Sequence, residues 1–329
     1  MVDAMSKLER VEAALAGEPV DRVPFTCWYH FGDQHLDGAA HAEIEHNFFR
    51  HYDLDFLNVV NDGDYPRPAL VSPVASAPYD IAEPADWHRL TTVNPWEYEG
   101  YRREVIALRE LRKRLSGEAH FIASVLSPWS TARSLAFPVF SQHLTEHPED
   151  VLAGIEVITT NLERLVAAML EAGASGIFLR IDGATRDAAR WQTYRKFGRP
   201  FDLRLLKAAE DAPFNVLHLH GSHIYLSQVA DYPVAAFSWA DRDKENPSLR
   251  RGRKLTQHAV MGGIEHAAFK QTPLAEVRRQ VRDALHQTGG RGLILAPGGS
   301  LPSDTYETQI HHLRQAVEEL STAPPPATD

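Results

Sequence analysis

A chain of 329 residues that is 43% hydrophobic and 24% charged has the make-up of an ordinary globular protein. Its formal net charge of −10 argues against nucleic acid or an anionic membrane surface as the main partner. A single cysteine, Cys27, excludes an internal disulfide and any cysteine-rich zinc site, and fits a cytoplasmic location.

The opening stretch MVDAMSKLERVEAALAGEP has helical periodicity with scattered charges, unlike a signal peptide or a membrane span. Apolar, strand-like runs then alternate with helical ones. Strands are expected at 22–29, 55–60, 120–126, 176–181, 214–220, 234–239, 258–263 and 292–296. The clearest helices are EYEGYRREVIALRELRKRL, PEDVLAGIEVITTNLERLVAAMLEAG and PLAEVRRQVRDALHQTGG, the last closed by glycines. Residues 61–96 are rich in Pro, Asp and Ser and read as a long active-site loop after the second strand. A helix is expected to begin near Ser303, and the proline-rich tail 322–329 is expected to be disordered.

Eight strands separated by helices and buried on both faces predict a single α/β domain, a (β/α)8 TIM barrel over residues 1–321 with an N-terminal helix. In such a barrel the functional groups stand where strands end. That rule selects His30, then Asp62 and Asp64, then Ser127, Pro128 and Trp129. It continues with Arg180 and Asp182, His218 and His220, Trp239 and Asp241, Glu265 and His266, and the PGGS loop with Gly298 and Gly299.

The stretch NVLHLHGSHIY sharpens the choice. Side chains alternate along a strand, so His218 and His220 share one face while Leu217 and Leu219 take the other. Two such imidazoles can bind a metal, bind an anion, or satisfy each other. Arg180 and Asp182 also share a face, as a substrate contact or as a structural ion pair. Asp62, in NDGDYP, is either a turn residue or a substrate contact. Trp129 is a packing wall or a binding surface, and Glu265 is favoured over His266 for the site. His223 reads as a surface or helix-start histidine, and Cys27 as a small buried apolar residue.

Six segments in order, LERVEAALAGEPVDRVP, SPWSTA, LEAGASGIFLRIDG, VLHLHG, VMGGIE and LILAPGGSLPSDT, resemble the uroporphyrinogen decarboxylase superfamily over about residues 7–320. The resemblance implies a (β/α)8 barrel with its site on the C-terminal face. It also implies one of two chemistries, and assembly as a homodimer as in related enzymes. Decarboxylases of the superfamily hold substrate carboxylates with two arginines. Here Pro24 and Gly32 of that motif remain, but Tyr29 and Asp33 stand at the arginine positions. The pyrrole-binding aspartate falls near Asn58, with Asp62 beyond it, while the site tyrosine falls on Ser134 and the late histidine on Gly299.

The second chemistry is methyl transfer to a thiol from a corrinoid protein, with zinc held by His-x-Cys and a later Cys. Here His218 matches, His220 replaces the first cysteine and Gly299 the second. A metal, zinc or another divalent ion, would then need His218 and His220 with Asp241, Glu265 or His266. The leading expectation is metal-assisted methyl transfer on a small molecule, with Asp62 as acid/base or anchor. His30, Asp64, Trp129, Trp239, Gly298 and Gly299 would contact substrate. The alternatives are a divergent decarboxylase without cofactor, using Asp62 and Arg180, and a non-catalytic tetrapyrrole or corrinoid binder.

Overall fold

Ser6 starts the first helix by a reciprocal cap. Its hydroxyl accepts the Glu9 N–H, and the Glu9 carboxylate accepts the Ser6 N–H at 2.8 Å, fixing the first turn of helix α1 (Lys7–Ala16). A computed structural model of the protein describes residues 4–60, 65–66 and 80–321; Asp62, Asp64 and the tail 322–329 lie outside them.

After α2 (Gly38–His51) the chain enters strand β1 (Leu57–Val59). It continues through α3 (Glu99–Leu115), β2 (Phe121–Leu126), α4 (Pro128–Leu135), α5 (Phe140–Glu146) and α6 (Pro148–Ala172). Next come β3 (Ile177–Asp182), α7 (Trp191–Phe197), α8 (Arg199–Ala208), β4 (Val216–His220) and β5 (Ala236–Trp239). The last elements are α9 (Leu249–Thr256), β6 (Ala259–Ile264), α10 (Leu274–Thr288), β7 (Leu293–Pro297) and α11 (Glu307–Ser321). The seven strands form one parallel sheet in sequential order, each pairing with the next.

The alternation expected from sequence sorts the core. On one face Trp28, Phe56, Ile122, Phe178, Phe214, Val216 and Met261 form an apolar cluster that includes Val11 of α1. On the other, Ile177, Leu179, Ile181, Leu217 and Leu219 join the larger cluster built with the helices. His218 and His220 therefore stand on the Phe178/Val216 face, above the smaller core.

The expected first strand, 22–29, does not form as a strand. It contributes a single parallel bridge, Phe25 to Leu295, with Leu295 N–H donating to Pro24 O and Thr26 N–H to Leu295 O. Pro24 has no N–H to give, and the Phe25 N–H is taken by the Asp55 carboxylate at 2.7 Å. Asp55 is fully buried and also receives both Arg10 and Arg22. On its other edge the segment accepts the Asp55 N–H at Phe25 O and donates Thr26 Oγ1–H to Phe56 O. Side-chain chemistry thus takes the place of a regular eighth ladder.

The expected loop 61–96 is not featureless at its end. Residues Pro84–Arg89 form a 3-10 helix whose Trp87 is buried, donating its indole N–H to His143 Nδ1 at 3.1 Å. The last helix begins at Glu307, four residues later than Ser303. Among the described residues no helix is long and apolar enough to cross a membrane.

Candidate functional site

At the C-terminal ends of the strands lies a cavity of about 640 Å³, within the usual range for a small-molecule site. Its polar side is built by register. Arg180 and Asp182 of β3 stand directly opposite His218 and His220 of β4. Because each pair is two residues apart, all four side chains rise from one face and form a two-by-two patch.

The Arg180 guanidinium grips Asp182 in two places, Nε to Oδ1 at 2.8 Å and Nη2 to Oδ2 at 3.0 Å. Arg180 lines the cavity while it makes this ion pair. The Asp182 N–H donates to Ser130 Oγ at 2.7 Å, which fixes the strand end against α4.

His218 is buried, its ring stacked on Phe178 at 5.1 Å and 25°, and its Nδ1 lies 3.0 Å from Ser238 Oγ. Burial drives its pKa well down, reinforced by His220, Arg180 and His266. His220, at the strand tip, is lowered by burial while Asp182 pulls the other way. His266 also lines the cavity and is lowered by burial, opposed by Glu265. The cavity therefore holds imidazoles that favour the neutral form. His30 lines it as well, with Nε2 3.3 Å from Ser300 Oγ.

The remaining walls mix apolar and polar side chains. Trp28, Val60, Leu126 and Phe178 come from strands and their ends, Leu162 and Leu165 from α6. Ser124, Ser134, Tyr65, Asp80 and Tyr101 add polar points. Sequence reasoning passed over the contributions of α3 and α6, because the strand-end rule does not look at helices. Ser124 was findable, since it alternates onto the inner face two residues beyond Ile122.

Several expected site residues stand elsewhere. Trp129 is not in the wall of the cavity. Ser127 caps α4 and Pro128 opens it, which turns the indole onto Phe140 and Tyr194 at 5.0 and 5.6 Å. Trp239 donates its Nε1–H to Pro247 O at 2.7 Å and packs on Gly252, a structural post. Gly298 is held by contact with the Ala240 backbone, where a Cβ would approach to 2.6 Å. Gly299 touches the site indirectly, since a Cβ there would lie 2.7 Å from the His266 ring. His266, rather than Glu265, reaches the cavity. The Glu265 carboxylate instead accepts the Ala267 and Ala268 N–H groups, closing the turn after β6.

The motif departures are also repositioned. Asp33 does not confront a ligand; it is buried, paired with Arg103 at 3.0 Å and His41 at 2.7 Å. Tyr29 packs on Phe31 and Phe48. Asn58 accepts the Ser124 hydroxyl at 2.9 Å and keeps a buried Nδ2 without a partner beneath the cavity wall. His223 lies at the surface between Asp187 and Glu245, and Cys27 is buried.

A zinc centre here would have to draw on Asp241, Glu265 or His266 beside the two strand histidines. Asp241 is buried, its Oδ1 accepting the Gly263 N–H at 2.7 Å, and burial raises its pKa to about 6. Glu265 is spent on its turn. Among the described residues, no three of His218, His220, Asp241, Glu265 and His266 bring ligand atoms within 4.8 Å of one another. These side chains do not fit a three- or four-ligand metal set.

Residues 6–320 match the family model described as uroporphyrinogen decarboxylase (URO-D). The chain belongs to the uroporphyrinogen decarboxylase family. A uroporphyrinogen decarboxylase of a Synechococcus strain is 22% identical over 236 residues, covering 65% of this chain and 61% of that protein. The match thus spans less than two thirds of the relative. A methyltransferase from Methanosarcina mazei superposes with a TM-score of 0.77 at 18% identity, covering 96% of this chain and 99% of the other. That likeness is one of fold. It extends over almost the whole of both chains.

Proposed function

We propose that this member of the family is a transferase that moves a methyl group onto a small thiol-class acceptor bound in the strand-end cavity, on a barrel closed by residues 22–29. The observation that carries the reading is the patch of neutral imidazoles beside a self-neutralised Arg180–Asp182 pair in a chamber walled by both apolar and polar side chains. A porphyrinogen with its many carboxylates needs cations. Arg180 is the one lysine or arginine among the described lining residues, and Asp182 already occupies it. Neutral imidazoles suit the opposite task, taking a proton from an acceptor as it becomes a nucleophile.

In this reading His220 accepts the thiol proton. The sulfur attacks the methyl carbon of an electrophilic donor, the new carbon–sulfur bond forms, and the leaving group keeps the electron pair of the broken bond. His218, clamped by Phe178 and Ser238, holds the acceptor's orientation, and the apolar walls exclude water.

The test is thioether formation from methylcobalamin and a panel of small thiols, followed by mass spectrometry. Turnover should be unaffected by a chelator, and His220→Asn should reduce it about 10²- to 10⁴-fold. Chelator-insensitive release of CO2 from a carboxylated substrate, without thioether from any thiol, would overturn the reading.

A further inference from the structure

On the outer surface, two helices bring three donor atoms to one point. His51 is the last residue of α2, Glu307 the first of α11, and His311 follows one turn later. His51 Nε2 lies 2.5 Å from Glu307 Oε1 and 3.2 Å from His311 Nε2, and His311 Nε2 lies 3.6 Å from the same carboxylate oxygen. Both imidazoles present the same ring nitrogen to each other and to one anionic oxygen. A proton can bridge only two of these atoms at a time, whereas a cation between them satisfies all three. We propose that His51, Glu307 and His311 form a binding site for a divalent cation of the zinc class, separate from the catalytic cavity.

The spacing fits such an ion. Bonds of about 2.0–2.2 Å in a tetrahedral shell set ligand atoms roughly 3.3 Å apart, so only the His51–Glu307 separation has to open, by less than about 1 Å. Two nitrogens and one carboxylate oxygen, with a position left for water, suit zinc, cobalt or nickel better than calcium or magnesium. The rings are held ready. Tyr52, itself buried, packs against His51 at 4.7 Å and His311 at 5.0 Å, and the two imidazoles pack on each other at 4.8 Å. All three ligands remain open to solvent, so an ion can enter without unfolding.

The placement gives the ion a structural task. The helix α2 follows the 22–29 segment and α11 follows β7, two segments that share, among the described residues, the isolated Phe25–Leu295 bridge. Arg314 of α11 already ties this seam to Asp53, two residues beyond His51, at 2.6 Å. A bound cation adds a further clamp, beside Arg314–Asp53 and Arg22–Glu318, where the sheet has its least regular ladder.

Full-length protein stripped with a chelator and titrated with Zn²⁺ should bind one equivalent at this site, and its melting temperature should rise by about 2 °C or more. Co²⁺ should give the visible bands of a nitrogen- and oxygen-ligated ion. His51→Ala and His311→Ala, which melt normally without metal, should each weaken binding at least tenfold and abolish the thermal shift, while the pair His218→Ala/His220→Ala retains both. The proposal is overturned if Zn²⁺ shows no saturable binding and no thermal shift, or if both survive His51→Ala and His311→Ala.

Discussion

His220 and Asp182 face each other across neighbouring strands, paired in register on the same side of the sheet. Burial, Arg180 and His266 lower the pKa of the His220 ring, and the Asp182 carboxylate works against them by favouring the protonated form. The carboxylate that orients Arg180 thus also tunes the proposed base.

Replacing Asp182 by Asn removes that charge at nearly constant shape. The pKa of His220 then falls further, and the neutral base survives to lower pH. The acid limb of the rate profile should move toward acid. A limb that stays fixed, or moves to higher pH, would show that His220 is not the titrating group.

Gly299 leaves the room that His266 occupies. Adding a methyl group there would bring carbon to within 2.7 Å of the imidazole, so Gly299→Ala should push His266 out of place. Turnover should fall on the order of tenfold or more with thermal stability almost unchanged, as expected for a group displaced by about 1 Å. Wild-type kinetics in the variant would remove His266 from the site.

Asp202 is buried on α8, accepting from Tyr194 and, at 3.1 Å, from Tyr232, with its second oxygen unpartnered. Burial raises its pKa to about 7 from the ordinary 3.8. The folded state therefore holds a proton that the unfolded chain releases, and this contribution to stability is lost as pH rises from about 4 to 7. Asp202→Asn lacks the loss. Its stability relative to wild type, from denaturant melts at pH 4.5 and 8, should improve with pH by on the order of a few kcal/mol. A difference independent of pH would mean that Asp202 is ionised in the fold.

Asp55 ties the irregular seam. Asp55→Ala leaves Arg10 and Arg22 without their shared buried anion and the Phe25 N–H without an acceptor. Unfolding free energy should drop by about 3–5 kcal/mol, with faster amide exchange at Thr26 and Leu295. A change below about 1 kcal/mol would show that the seam is held by packing alone.

Local pattern determined much of this protein. Seven of the expected strands stand within a few residues of their places, because continuous apolar runs bounded by turns have one stable use, in a sheet covered on both sides. Alternation likewise put His218 and His220 on one face, and the ordered segments from Leu8 to Thr305 carried the family. What a residue does with its polar atoms depends on neighbours far away in the chain, and there the tertiary structure decided. Pro24 and the Asp55 carboxylate turned a strand into a bridge, the cap at Ser127 swung Trp129 out of the site, and Glu265 went to its own turn while His266 took the cavity. Hydrophobic periodicity is a local signal that survives folding, whereas hydrogen-bond partners are assigned only when distant segments meet.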